Sequence, residues 1–189
     1  MLRPRPRVPT GMSAITEQPR AAAAGADQPQ GLGSGFAPGE DRPIGSYVVL
    51  MGTLVALAAA FGRWFRSSGR ELPMRIAMSD LALMTVASHK ASRLLSKDRV
   101  TSGVRVPFTS YKGDAGPAEV SEHARGRGLR RAIGELMVCP YCMGMWTSAV
   151  FVAGLLVLPR FTRWVASVLV LLFGSDVLQI AYKKGEETL

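Results

Sequence analysis

Hydrophobic residues in this chain are gathered into blocks, separated by short charged stretches and one long polar connection. The first block, residues 44–62, reads I-G-S-Y-V-V-L-M-G-T-L-V-A-L-A-A-A-F-G and carries no charge. A helix of that length covers the roughly 30 Å of hydrocarbon in a bilayer. The pattern therefore predicts a membrane span, closed at the interface by Arg63, Trp64, Phe65 and Arg66. A second block, 73–95, is interrupted by Arg75, Asp80, His89, Lys90 and Arg93. It spans if Arg75 and Lys90 extend their charged ends toward the two interfaces. Blocks at 139–158 and 162–182, divided by Pro159 and Arg160, predict an antiparallel helical hairpin.

The connection 96–136 has a different pattern. Leu129, Ala132, Ile133, Leu136 and Met137 recur at i, i+3, i+4, i+7 and i+8, which predicts a short amphipathic helix lying on the lipid interface. Residues 111–128 are charged and rich in glycine, so the expectation there is a flexible loop. Residues 1–42 are rich in Pro, Gly, Ala and Gln without hydrophobic period, the pattern of a disordered tail. The fold class implied is an all-α integral membrane protein, with four transmembrane helices and one interfacial amphipathic helix in a membrane domain over 43–189.

Charge adds an orientation. The net charge of +9 sits mainly beside the apolar blocks, where it suits anionic lipid head groups and not nucleic acid. In a four-span arrangement 17 Lys and Arg lie on the side of both termini and the long connection, against 6 on the other. The positive-inside rule then predicts both termini and the 96–136 connection in the cytoplasm. Two cysteines cannot form a disulfide framework, and one chain supplies no four-thiol zinc module.

Candidate chemistry concentrates at Cys139-Pro140-Tyr141-Cys142, a C-x-x-C that opens a helix, where unpaired N–H groups favour thiolate. Three readings stand side by side: thiol exchange, a zinc site completed by His89 or His123, or thiols that simply pack at the interface. Asp80 and Asp176 fall inside predicted spans, where an unpaired charge is costly, so each requires a partner. Lys90 or Arg93 suits Asp176 by depth; Arg75, Arg163 or water suits Asp80. Lys97, Arg99, Arg105, Arg130 and Arg131 form a candidate surface for anionic lipid or a protein partner. Gly144 and Ser148 give small-residue spacing for close helix contact, with Ala166, Val170 and Gly174 of the last span, or a second copy of the chain, as partner. The sequence holds no phosphate-cradling glycine loop, Ser-His-Asp set or H-E-x-x-H motif.

Two blocks carry a family resemblance: A-S-H-K-A-S-R-L-L-S-K-D-R-V-T-S-G-V-R-V-P-F from Ala87 to Phe108, and G-E-L-M-V-C-P-Y-C-M-G-M-W from Gly134 to Trp146. Together they resemble the bacterial membrane proteins grouped as domain of unknown function 1360, a set that includes a sporulation-associated membrane protein of bacilli. The resemblance covers about residues 73–182 and implies a small helical protein of the bacterial cell membrane with no assigned reaction. The function expected is structural, a scaffolding or recruiting role at the cytoplasmic face without a cofactor. The alternative is a thiol-redox or metal-binding role for Cys139 and Cys142.

Overall fold

Pro43 precedes the first helix, and an unbroken apolar run carries it forward. α1, Ile44–Ser67, continues past its apolar block through Arg63–Arg66. It ends where Ser67 and Ser68 hydroxyls donate to the Trp64 carbonyl and Gly69 takes a left-handed φ of 68°. The computed structural model describes residues 42–188, all within one compact unit. The expected disordered tail falls on residues 1–41, outside the described residues.

α2, Met78–Lys97, starts later than its block suggests and leaves Arg75 outside the helix. A single helical turn follows, α3, Ser102–Arg105. Next comes an antiparallel hairpin of β1, Thr109–Gly116, and β2, Glu119–Ala124. α4, Gly128–Val138, passes through Cys139 into α5, Pro140–Val157, and Leu158 alone separates α5 from α6, Pro159–Glu187. Prolines at the first positions of α5 and α6 sit where a helix has no use for the missing N–H.

The core lies where α2 packs against α5 and α6. Met84 and Ala87 of α2 meet Phe151 of α5 and Ala166 of α6, with Leu83, Ala91, Leu155 and Val170 around them. The fully buried alanines, Ala87 and Ala166, let the backbones approach closely. The row of Asp80 and Met84 continues along α2 as the buried Ser88, Ser92 and Ser96. Ser88 Oγ lies 2.8 Å from both Thr147 Oγ1 and Ser148 Oγ and 3.3 Å from the Gly144 carbonyl. Gly144 and Ser148 of α5 thus meet α2, not α6. A Cβ at Gly174 would point into open space, whereas one at Gly154 would come 2.7 Å from Thr162 Oγ1, so the glycine needed for the α5–α6 corner is Gly154.

Two expectations are corrected here. The fold is mainly helical but not all-α, because the supposed flexible loop holds the hairpin. Along β2, Val120 is buried, Glu122 and Ala124 are half-buried and His123 between them is exposed, a period of two at this end of the strand. The charge on Glu122 disguises the period. The amphipathic helix forms almost as expected, and α4 closes on β2, α1 and α5, with Ala132 and Gly134 buried. Three of the four expected spans, α1, α5 and α6, are long and apolar enough to cross a membrane. Among the described residues α2 is not counted with them, its mean hydropathy being lowered by Asp80, His89, Lys90 and Arg93.

α4 sits so close to the hairpin that Gly134 admits no side chain. A Cβ there would stand 2.5 Å from the Phe108 carbonyl oxygen and 2.9 Å from Ala124 Cβ. Gly134→Ala is expected to lower stability by about 1–3 kcal/mol, the range for overpacking a filled site. The loss should appear in detergent as faster protease cleavage within residues 99–127, with α5 and α6 still protected.

Candidate functional site

The α2–α5 connection is organised around one arginine. Arg105 is 0% exposed. Its Nε and Nη2 donate to the two oxygens of Glu122 at 2.9 and 3.0 Å. Nη1 donates to the Leu95 carbonyl at 2.8 Å and to Thr101 Oγ1 at 2.7 Å, while Nη2 also reaches the Asp98 carbonyl at 3.0 Å and Ser102 Oγ at 3.2 Å. Thr109 Oγ1 donates to Glu122 Oε2 at 2.8 Å, and Thr101 Oγ1 to the Leu94 carbonyl at 2.5 Å. A guanidinium is suited to this because its planar fork engages a carboxylate with two bonds and still offers donors to the carbonyls at a helix end. Here it terminates α2, shapes α3 and fastens β2 at once. Burial pushes the Glu122 carboxyl up, but the bonds from Arg105 and Thr109 and the arginine charge outweigh it and hold the group below its ordinary range.

Around this node the hairpin is fixed to the end of α2. The Arg99 amide donates to the Ala118 carbonyl at 2.9 Å, Asp98 bridges to Glu119, and the Arg93 guanidinium pairs with the Glu119 carboxylate. Lys90 Nζ stands 2.6 Å from Asp176 Oδ2 nearby. Asp98 completes the cluster. Burial, reinforced by Glu119 and Asp176, raises its carboxyl above the usual value against the pull of Lys90 and Arg105. At the other end of α2, Arg163 holds Asp80 with two bonds of 2.8 and 2.7 Å. The α1 start is tied to the same assembly, because Tyr47 Oη donates to the Glu135 carboxylate, which Arg131 also meets at 3.0 Å.

The residues proposed for a lipid or partner surface therefore divide. Arg105 is corrected outright, being enclosed. Arg99 is exposed but pairs with Asp114 at 2.8 Å, and Arg131 with Glu135. Arg130 donates twice to the Pro107 carbonyl, at 2.9 and 2.7 Å. Lys97 is half-buried at the last turn of α2. Arg93 is drawn to Glu119 of the hairpin and not to Asp176.

Cys139 and Cys142 are free thiols, the first half-buried and the second exposed. Cys139 Sγ accepts the Cys142 amide at 3.3 Å and so caps α5. His89, offered as a zinc ligand, packs edge-on against Phe173 with ring centroids 5.7 Å apart. His123 lies on β2, beside a cleft of about 290 Å3 walled by Glu122, Arg131 and Glu135. Among the described residues no three His, Cys, Asp or Glu side chains come together as a metal-ligand set. Sequence reasoning missed Glu119, Glu122, Ser88 and Thr147. The strand period of β2 was the available signal for Glu122, and Ser88 follows Met84 by one helical turn.

These features define a class: a membrane protein of at least three apolar helices, carrying a folded polar cap at one end of the bundle. The family is then fixed by comparison. The chain belongs to the family described as "Protein of unknown function (DUF1360)", whose profile matches residues 83–182, just over half of its length. The match takes in most of α2, the whole cap, α5 and most of α6, and α1 lies before it. A curated relative is the sporulation protein YjcA of Bacillus subtilis (strain 168), 25% identical over 107 residues that cover 55% of this chain and 91% of the relative. No solved structure matches.

Proposed function

We propose that this protein is a four-span protein of the bacterial cell membrane whose cap faces the cytoplasm and serves as a fixed platform for a protein partner. The observation that carries this reading is the enclosure of Arg105. It commits a buried ion pair and six hydrogen bonds from the guanidinium to the shape of the connection between two helices. A connection that only linked the helices would have no need of such a node. α2 serves as the fourth span because its inner charges are neutralised by α6, through Asp80–Arg163 and Lys90–Asp176. The excess of Lys and Arg on the cap side supports the cytoplasmic placement. A thiol role for Cys139 and Cys142 is the second reading, favoured by one observation: Cys142 is exposed at a helix start.

The test is a photo-activatable residue at position 118, the tip of the hairpin, in the full chain in cells. A discrete protein adduct is expected, and it should disappear in Arg105→Ala while the protein stays in the membrane fraction. Failure to form any adduct, or labelling of position 118 by an impermeant reagent from outside intact cells, would overturn the platform. Survival of the adduct in Cys139→Ser/Cys142→Ser sets the thiol reading aside.

A further inference from the structure

α3 turns its charge inward and its apolar side chains outward. While Arg105 is enclosed, Val100, Val104 and Val106 are 94%, 61% and 58% exposed. Three exposed valines within seven positions form an apolar patch on a cap that buries Val120 and Ala132. The first turn of α4 is held beside them, since the Arg130 guanidinium grips the Pro107 carbonyl at the end of α3. That turn adds Leu129, 47% exposed. It is flanked by Arg125 and Arg127, which are exposed and, among the described residues, have no acidic partner, whereas Arg93, Arg99 and Arg105 each have one.

The geometry points to a lipid-docking surface on the cap, in which Val100, Val104, Val106 and Leu129 reach the acyl boundary and Arg125 and Arg127 bind the phosphates of anionic phospholipids. Apolar side chains within a cationic rim are the composition of a surface that rests on an anionic leaflet. One observation favours lipid over a protein with an acidic patch. The surface hangs directly from helices that enter the bilayer, with α3 folded back on the last turn of α2 through Arg105–Leu95, and α4 joined to α5 by Cys139 alone. Its unpaired cations are guanidiniums, whose fork can engage phosphate oxygens there. The inference rests on the membrane-spanning reading above and deepens it, because a cap seated on its own leaflet would present the hairpin to a partner at a fixed height.

The experiment uses full-length protein with Cys139→Ser and Cys142→Ser, carrying a single environment-sensitive fluorophore through Val104→Cys or, as reference, Ala118→Cys. It is reconstituted in phosphatidylcholine vesicles with or without phosphatidylglycerol. Position 104 is expected to be shielded from iodide and quenched by doxyl-labelled lipid, and position 118 to show the opposite. Arg125→Gln and Arg127→Gln should each weaken the preference for phosphatidylglycerol about fivefold, the effect of one cation near an anionic surface. Equal iodide access at 104 and 118 in both vesicle types overturns the proposal. Shielding of 104 that occurs in cells but not in pure lipid also overturns it and assigns the surface to a protein. Neither result touches the platform reading, which stands or falls on labelling and cross-linking at 118.

Discussion

Replacing Arg105 by alanine is expected to unfold the connection between α2 and α5 while α1, α5 and α6 remain in the membrane. Removing one partner of a buried pair leaves the other charge uncompensated, at a cost of about 3–5 kcal/mol. The orphan would be Glu122, whose side chain is 6% exposed. Arg105→Lys should not rescue, because one ammonium with three donors cannot engage both Glu122 oxygens together with the Leu95 and Asp98 carbonyls. Arg105→Met combined with Glu122→Leu should recover much of the loss, since exchanging a buried pair for apolar residues of similar volume is often neutral or better. Chemical denaturation in detergent, followed by proteolysis at the hairpin, reads all three variants.

The same node gives a pH dependence with a definite sign. The folded-state pKa of Glu122 is depressed, so its contribution is fully present above the unfolded carboxylate value, near 4.3, and is lost as pH falls through the folded value. Cap protection should therefore hold at neutral pH and decline on acidification below that range. The decline should vanish in the Arg105→Met/Glu122→Leu variant. A protease profile flat down to strongly acidic pH in the native chain would remove Glu122 from this role.

What the sequence disclosed depended on whether burial was achieved by apolar residues or by paired charges. The apolar blocks read directly, and α1, α5 and α6 lie where hydropathy places them. The amphipathic stripe from Leu129 to Met137 likewise located α4 to within a residue at each end. The hairpin escaped because its inward face includes Glu122 and β1 carries Gly113 and Gly116, so the alternation that marks a strand was broken by a residue that is buried only because Arg105 is there. Arg105 itself looked like one more cation in a basic stretch. Arg99, six positions earlier in the same stretch, remains exposed. The meeting of two segments 17 positions apart separates the two. Gly144 and Ser148 were legible as a contact surface, but the partner was not, since small-residue spacing states that a helix can come close and leaves open which one.

Reversing the charge of Lys90 is expected to expel α2 from the bundle, and restoring the pair in the opposite sense should return it. Lys90 lies near the middle of α2 with its side chain 12% exposed, 2.6 Å from Asp176. Lys90→Asp would set two carboxylates against each other, and an unpaired charge within a span costs up to about 2.5–3.5 kcal/mol, the value at the bilayer centre. The apolar content of α2 is too low to absorb that. Asp80–Arg163 holds the helix at a second level, ten residues away on α2 and thirteen on α6, or roughly 15 and 20 Å along the two axes. A shift of α2 by one turn, about 5.4 Å, would part both pairs together, so the two fix depth as well as contact. Lys90→Asp/Asp176→Lys should therefore restore the native arrangement, while Lys90→Asp with Asp80→Ala should be worse than either alone. The measurement is reagent access to a cysteine at 118 in sealed cells, in a background lacking Cys139 and Cys142. Expulsion of α2 carries the hairpin to the opposite side, so access should invert in Lys90→Asp and revert in the double exchange. Unchanged access in Lys90→Asp would mean that α2 does not cross, and that lipid-facing helices alone, without paired charges, hold this protein in the membrane.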